Sequence, residues 1–446
     1  MTDWDPRALA VLDALEGAGF QAVLVGGCVR DALRGAAPHD YDAATAARPE
    51  EMRQVFAGWK TADTGLRHGT LTVFSGGLGV EVTSFRSEGP YSDRRRPDGV
   101  RFTRSLAEDL GRRDFTVNAM AWGRGGLTDL FGGREDLAAG VIRCVGSPAR
   151  RFQEDALRLL RGLRLAAQLE FKLHPDTAAA LRDSLPLLDW VSRERVMQEL
   201  SRLVCAPGAQ GVLLDFPQAA VRIFPELAPA VGFDQRSPCH CFDVYTHCVR
   251  AMGAVSPRLT LRLAALLHDV GKPAVFAPDA AGAGHFPGHA RAGAELARAA
   301  LRRLRLDGAS RERTAALIAR HGMRLPLQER AVRRQLFRLG PELFFDLAEL
   351  DRADNAAKRP GTAPPAEHWT RLDALARQIL AQSPCLTLKD LAVDGHDALA
   401  AGLEGPAVGR ALDALLEAAA EGRLPNRRED LLRELERRGA PSPREG

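Results

Sequence analysis

The apolar residues of this chain change their period once, and that change limits what it can fold into. Up to about residue 140 they come in short runs bounded by glycine, as in QAVLVGG (21–27), GTLTVFS (69–75) and LGVEVTSF (78–85). Runs of this length and composition read as strands buried on at least one face. From RFQEDALRLLRGLRLAAQL (151–169) onward, apolar residues recur at helical spacing almost without a break and the strand signals fade. The expected fold class is therefore α+β, a head on a small mixed sheet followed by an all-α remainder. Within the head, residues 6–17 read as an amphipathic helix closed by Gly17 and Gly19, VRDALRG (29–35) as a short helix, and YDAAT (41–45) as the start of a second strand.

At 446 residues the chain has room for roughly two to four domains. No apolar run approaches the ~20 residues of a membrane span, and MTDWDPRALA lacks the basic-then-apolar order of a signal peptide. The seven cysteines are scattered without a regular framework, as in proteins of a reducing compartment, so a cytoplasmic location without membrane partners is expected. Cys239, Cys241 and Cys248 lie among His240 and His247, but no CxxC pair supports a zinc site there. Net charge is only +4, yet just five of the 61 basic residues are lysine. The remaining guanidinium forks suit phosphate contacts and allow a polyanionic partner without requiring one.

In a strand, residues two apart point to one face, so Asp40 and Asp42 of HDYD (39–42) would project side by side. Oxygen ligands so placed can share Mg²⁺ ions that clamp a nucleotide's phosphates and activate an attacking hydroxyl. A third carboxylate on a neighbouring strand completes such a site, and Glu81 is the candidate. Alone, paired aspartates are more often solvated turn residues. Gly26 and Gly27 end a strand just before a helix, where free N–H groups let a phosphate approach, although a plain strand-to-helix turn uses the same glycines. Their co-occurrence with Arg30, Asp31 and the two aspartates in one short unit favours the phosphate-and-metal reading.

LVGGCVRDALRG (24–35) followed by HDYDAAT (39–45) resembles the opening motif of the tRNA nucleotidyltransferases of the bacterial and eukaryotic class, a polymerase-β-superfamily family that includes bacterial poly(A) polymerases. The resemblance continues through GLRHGTLTV (65–73), VEVTSFRSEGPYSDRRRPDGVRF (80–102), EDLGRRDFTVNAMAW (108–122), LTDLFGG (127–133), RFQEDALRLLRGLRLAAQL (151–169) and SRERVMQEL (192–200), about half the chain. It implies a polymerase-β-like head that adds CCA, or its terminal A, to tRNA 3′ ends from CTP and ATP without a nucleic-acid template. Asp40 and Asp42 would bind the catalytic Mg²⁺ ions, while Gly26, Gly27 and Arg30 would hold the triphosphate. Arg112, Arg113 and Asp114 match an element associated with recognition of the nucleotide sugar. Asp155 and Arg158, three apart on an expected helix, would share a face and read the Watson–Crick edge of the base, with Arg161 one turn on assisting. In an unrelated helix the same two residues would be a surface ion pair. The six arginines between Arg143 and Arg164 would offer contacts to RNA phosphates or serve an exposed helix face. RSEGPYSDRRRP (86–97) reads as a mobile loop whose completeness, by the resemblance, argues against an enzyme that adds only CC.

A second constellation follows. LTLRLAALLHDVGKP (259–273) is an apolar helix ending in His268 and Asp269, and adjacent His and Asp can both reach one metal ion. The series His247, His268, Asp269 and Asp354 resembles the HD superfamily of metal-dependent phosphohydrolases, and His289 and His321 match the additional histidines of members that hold a second metal. That resemblance implies a divalent transition metal (Ni²⁺, Co²⁺ or Mn²⁺) and hydrolysis of 2′,3′-cyclic phosphate or 2′-phosphate at damaged tRNA ends. The expected domains are a head (1–140), a helical neck with the base-selecting motif and an RNA surface (141–215), a body with the HD domain (216–358) and a helical tail (359–446) with its last residues disordered. A-adding enzymes and poly(A) polymerases share the head motifs and stay open as alternatives. A protein-modifying uridylyltransferase fits less well because EDALR stands in register, and a dead RNA-binding head because Asp40 and Asp42 are intact. Oligomeric state is not legible.

Overall fold

A computed structural model of the chain describes residues 4–65, 69–88, 100–362, 364–382 and 385–439. Most of the loop expected at 86–97, and nearly all of the terminal segment expected to be disordered, lie outside these residues. The chain forms two compact units, Met1–Pro225 with Arg303–Leu306, and Glu226–Arg302 with Asp307–Gly446.

The first unit carries a mixed sheet of seven strands: β1 (Ala22–Val25), β2 (Tyr41–Thr45), β3 (Lys60–Gly65), β4 (Thr70–Ser75), β5 (Leu78–Ser84), β8 (Met120–Gly123) and β9 (Gly126–Asp129), in the order β3-β4-β5-β2-β1-β8-β9. A separate antiparallel pair, β6 (Arg86–Glu88) and β7 (Val100–Phe102), follows β5. Within the seven-stranded sheet, among the described residues, only the β2–β5 pair is parallel.

The period-2 pattern decides which side chains meet. Tyr41 and Ala43 of β2, and Val80 and Val82 of β5, face a core that also holds Val11, Leu12 and Leu15 of the helix Pro6–Gly17. That helix starts as the sequence predicts, with Asp5 accepting from the Arg7 N–H and Pro6 in the first turn. Alternation sends Asp42 and Glu81 to the opposite face, where a smaller apolar cluster of Val23, Val25, Ala44, Phe85, Leu110 and Ala121 leaves room for a cleft.

Beyond residue 140 the first unit's named elements are helical apart from a parallel pair of two-residue strands, Val141–Ile142 and Lys172–Leu173. The stretch read as one continuous helix from residue 151 is two helices, Pro148–Glu154 and Leu157–Leu169. Asp155 between them has extended backbone (φ −142°, ψ 105°), and its side chain accepts from the Leu157 N–H at 3.0 Å. An aspartate that bonds to backbone two residues on competes with the helix, which periodicity alone does not register.

The second unit is a helical bundle. Val244–Ala254, Leu259–Leu267, His289–Arg303, Gly308–Arg320 and Pro341–Ala356 carry the polar cluster described below, and Glu329–Leu339, Ala366–Ala381, Gly395–Ala400, Pro406–Ala420 and Arg428–Gly439 are the unit's other α-helices among the described residues. A short hairpin, Ala277–Pro278 against Gly284–His285, interrupts the helices. Among the described residues no helix is long and apolar enough to cross a membrane, and all seven cysteines are free thiols.

Candidate functional site

In the first unit a cleft of about 370 Å³ opens over β2 and β5, lined by Gly26, Gly27, Asp42, Glu81, Arg112, Arg113, Asp114, Asn118, Arg158 and Arg161 among others. Asp42 and Glu81 are register partners on the parallel strands, so the carboxylates that meet come from neighbouring strands rather than from positions i and i+2 of one strand. Asp40 precedes β2 and is not among the lining residues, yet its charge bears on Asp42. Burial, then the negative charge of Glu81, raise the Asp42 carboxyl above its ordinary range, with Arg113 opposing. Two carboxylates pressed together in this way favour a cation between them, so the donor set fits divalent metal.

Gly26 is required by geometry. Its φ is +76°, a conformation that costs a side-chain-bearing residue, and an added Cβ would lie 3.3 Å from Nη1 of Arg113 and 3.7 Å from Oδ2 of Asp42. The glycine thus lets backbone approach the two charged groups of the cleft.

The arginines are held from below by a carboxylate that the motif reading passed over. Asp109 is fully buried; its Oδ1 accepts from Nε (2.9 Å) and Nη2 (2.6 Å) of Arg112, and its Oδ2 from Nη2 of Arg113 (3.2 Å). Burial works against its charge, but the two guanidinium groups prevail and hold its pKa below the ordinary value. Burial brings Arg112 down to about 10, with Asp109 limiting the fall. Asp114 is buried too, accepts from the Phe115 N–H and pairs with Arg161 at 2.8 Å.

Arg158 lines the cleft with its guanidinium fixed: Nη1 donates to Glu154 Oε2 (2.7 Å) and to the Arg151 carbonyl (3.2 Å), and Nη2 to the Arg112 carbonyl (3.1 Å). Asp155 and Arg30 lie outside the lining. Asp155 pairs with Arg195 at 3.0 Å, and Arg30 with Asp31 at 2.8 Å and with Asn118 Oδ1 at 2.7 Å. The six neck arginines each pair with a protein carboxylate, Arg143 with Asp136, Arg150, Arg151 and Arg158 with Glu154, Arg161 with Asp114, and Arg164 with Glu199. Three of them, Arg143, Arg150 and Arg161, keep 40% or more of the side chain exposed.

The second unit gathers every residue of the second constellation. His247, His268, Asp269 and Asp354 present ligand atoms within 4.8 Å of one another, and so do Asp269, His289 and His321, with Asp269 common to both groups. The helix elements explain the convergence: His268 and Asp269 follow Leu259–Leu267, His289 opens its helix, His321 follows Gly308–Arg320, and Asp354 sits in the last turn of Pro341–Ala356. An added Cβ at Gly271 would meet the amide nitrogen of Gly293 at 2.6 Å, so only glycine lets the helix of His289 pack this close.

Each histidine directs Nδ1 at a backbone carbonyl: His247 at Ala357 (3.3 Å), His268 at Ala265 (2.8 Å), His289 at Phe286 (2.7 Å) and His321 at Ile318 (2.6 Å). A carbonyl can only accept, so Nδ1 carries the proton and Nε2 offers a lone pair. Two such Nε2 atoms face each other at 3.3 Å (His247 and His268) and two more at 3.2 Å (His289 and His321). Facing lone pairs repel unless a proton or a cation lies between them. Burial opposes a charged His268, but Asp269 outweighs it and raises its pKa well above the ordinary value. Each carboxylate is also countered by a lysine, Lys272 on Asp269 at 2.6 Å and Lys358 on Asp354 at 2.7 Å. Each of the two donor groups, with Asp269 common to both, would therefore suit a divalent ion.

Three stretches of the chain match known families. Residues 22–143 match the family described as Poly A polymerase head domain, 170–230 the probable RNA and SrmB-binding site of polymerase A, and 239–355 the HD domain. A crystal structure of the Bacillus stearothermophilus CCA-adding enzyme in complex with CTP is 30% identical, with a TM-score of 0.74 over 97% of both chains. The chain belongs to the CCA-adding enzyme family. Among curated members, that of Ligilactobacillus salivarius is 47% identical over 211 residues, 47% of this chain and 52% of the relative. That of Streptococcus pneumoniae strain R6 is 50% identical over 202 residues, 45% and 50% of the two chains. The chain spans about half the length of these curated family members.

Proposed function

We propose that the chain adds CCA to tRNA 3′ ends from CTP and ATP, without a nucleic-acid template. The pairing of Asp42 with Glu81 beside Arg158, in one cleft, carries the reading. The family relative solved with CTP supports the nucleotide class. In this reading residues 1–140 are the nucleotidyltransferase head, 141–215 the neck, 216–358 the body with the HD domain, and 359–446 the tail. We place the protein in the cytoplasm, where its free thiols stay reduced.

Asp42, Glu81 and Asp40 would hold Mg²⁺, which when bound neutralises phosphate charge and lowers the pKa of an attacking hydroxyl. Gly26 and Gly27, with Arg30 behind, give the triphosphate close backbone approach. Arg112, Arg113 and Asp114, set by Asp109 and Arg161, orient the sugar. Arg158 presents donors to the base from a guanidinium that cannot swing away, and Asp155 supplies acceptors once released from Arg195. The terminal hydroxyl of the RNA then bonds to the α-phosphorus, the bond to the β-phosphate oxygen breaks, and pyrophosphate leaves.

The test presents three tRNAs, ending before CCA, after C and after CC, with CTP and ATP singly and together. Completion of all three supports CCA addition. Addition of A to the CC-ended tRNA alone, or long A tails on unrelated RNA, replaces it with the A-adding or polymerase reading. Asp42→Ala should abolish incorporation.

For the second unit we propose a phosphohydrolase with ions at His247, His268, Asp269 and Asp354, and at Asp269, His289 and His321. Mn²⁺, Co²⁺ and Ni²⁺ suit this mixed imidazole and carboxylate set. Its substrates are 2′-phosphate or 2′,3′-cyclic phosphate at tRNA ends, and a metal-loaded protein inert on both refutes it.

A further inference from the structure

Strand pairing brings a side chain with no assigned role to the nucleotide cleft. β1 and β8 run antiparallel with Val25 beside Ala121, and the Gly26 N–H donates to the Met120 carbonyl at 3.4 Å. The chain just before β8 therefore lies beyond the end of β1, at the Gly26–Gly27 turn. That chain is the single 3₁₀ turn Thr116–Asn118, and its last residue, Asn118, lines the cleft with the two glycines.

Arg30 decides which way the Asn118 amide faces. An arginine only donates, so the atom 2.7 Å from its Nη1 is the amide oxygen, and the amide nitrogen occupies the other arm of the planar group. No described residue accepts from that nitrogen, so its N–H groups are left for whatever fills the cleft. Arg30 itself is fully engaged. Its side chain keeps 12% of its surface; Nε donates to Asp31 Oδ1 at 2.8 Å, Nη2 pairs with the same oxygen at 2.8 Å, and Nη1 holds Asn118. To touch a ligand directly it would have to abandon these partners.

The turn also adjoins the metal-binding carboxylates, since a Cβ at Gly26 would lie 3.7 Å from Oδ2 of Asp42. The phosphates are the part of a nucleotide that divalent ions hold, so a donor beside this turn meets phosphate oxygen rather than base or sugar. The guanidinium on Oδ1 polarises the amide and strengthens its N–H donors, so a phosphate feels the charge of Arg30 through Asn118. We infer that Asn118 is the side chain of this turn that touches the incoming nucleotide, donating from Nδ2 to a phosphate oxygen, and that Arg30 is the positioning residue that aims it. This deepens the nucleotidyltransferase reading and rests on it.

The test measures CTP and ATP incorporation by the full-length protein on tRNAs ending in C and CC. Inorganic tripolyphosphate, which has neither base nor sugar, serves as competing inhibitor. Asn118→Ala removes the whole amide, whereas Asn118→Asp keeps the shape and the oxygen that holds Arg30 and loses only the N–H donors. Each should raise KM for both nucleotides and Ki for tripolyphosphate by about tenfold or more, with KM for tRNA and the thermal transition unchanged. Arg30→Met should raise the nucleotide KM in wild type and change it less than about twofold in the Asn118→Ala background. An unchanged tripolyphosphate Ki in either Asn118 variant overturns the contact, and a lost preference for CTP over 2′-deoxy-CTP at that unchanged Ki assigns the amide to the sugar instead. Full additivity of Arg30→Met and Asn118→Ala overturns the positioning role and gives direct contact to Arg30. Wild type that incorporates neither nucleotide on either tRNA overturns the underlying reading, a distinguishable result.

Discussion

Asp155 and Arg158, three residues apart in sequence, meet through the backbone, the Arg158 N–H donating to the Asp155 carbonyl at 3.0 Å, while the Asp155 side chain closes on Arg195 at 3.0 Å and that of Arg158 on Glu154 at 2.7 Å. The helix break at Asp155 separates them, so each is positioned by its own partner. Glu154 is buried beside Arg151 and Arg158 and also pairs with Arg150. Glu154→Gln keeps an acceptor for one guanidinium but removes the charge that fixes Arg158. Because a small misplacement of a substrate-positioning group costs up to about a hundredfold, kcat/KM for CTP and ATP should each fall by about tenfold or more. Single-nucleotide incorporation on tRNAs ending in C and CC measures this, and misincorporation of UTP or GTP should rise.

At Gly26 the prediction concerns backbone conformation. Alanine at φ +76° costs about 1–2 kcal/mol, and its Cβ would press Arg113 Nη1 from 3.3 Å. Gly26→Ala should therefore raise KM for both nucleotides while the second unit's thermal transition stays in place. Steady-state incorporation and calorimetry separate the two effects.

How far the sequence led can be judged from these residues. Strands β1, β2, β4 and β5 and the first helix were legible because short apolar runs and periodicity are local signals, whereas β3, β8 and β9 carry no such run. Asp42 and Glu81 were legible as candidate carboxylates of one site, but that Glu81 rather than Asp40 stands directly beside Asp42 could not be taken from the i, i+2 rule, because register between distant strands sets it. The break at Asp155 was hidden because the apolar period runs through it; only the aspartate's side-chain bond to Leu157 creates it. Asp109, Glu154 and Arg195 stood inside quoted motifs without a role, since a buried carboxylate under two arginines looks in sequence like any acidic residue near a helix start. The HD residues were legible by type and order, while the shared carboxylate and the carbonyl-held tautomers needed three dimensions.

The shared Asp269 sets the metal stoichiometry. Wild type should bind two Mn²⁺ or Ni²⁺ per chain in the second unit; His321→Ala should bind one, and Asp269→Ala should lose both, because it removes the oxygen that the shared carboxylate gives to each group. The same carboxylate raises the pKa of His268, so protons compete for its Nε2 and occupancy should fall as pH is lowered. Equilibrium dialysis with elemental analysis across pH, with Asp42→Ala as background to suppress binding in the first unit, reads both.

Asp351 gives a pH dependence of stability that the metal ligands do not share. It lies 4% exposed on the helix Pro341–Ala356 and accepts from the Gly322 N–H at 3.0 Å. Burial, opposed by that N–H and reinforced by the charge of Asp354, pushes its carboxyl up to about 6. In the unfolded chain an aspartate titrates near ~3.9, so between these values the folded state holds the extra proton. Its contribution therefore weakens stability as pH rises from about 4 through 6, by up to about 3 kcal/mol above that range. Asp351→Asn retains an oxygen acceptor for Gly322 and cannot ionise. In chelator-treated protein it should melt several degrees higher than wild type at pH 7.5, and the gap should narrow steadily as pH is lowered below 6. With divalent ions restored, nearby positive charge favours the ionised carboxylate, and the gain at pH 7.5 should shrink. An Asn variant that melts below wild type in chelator at pH 7.5 would show that the ionised Asp351 contributes a stabilising contact instead.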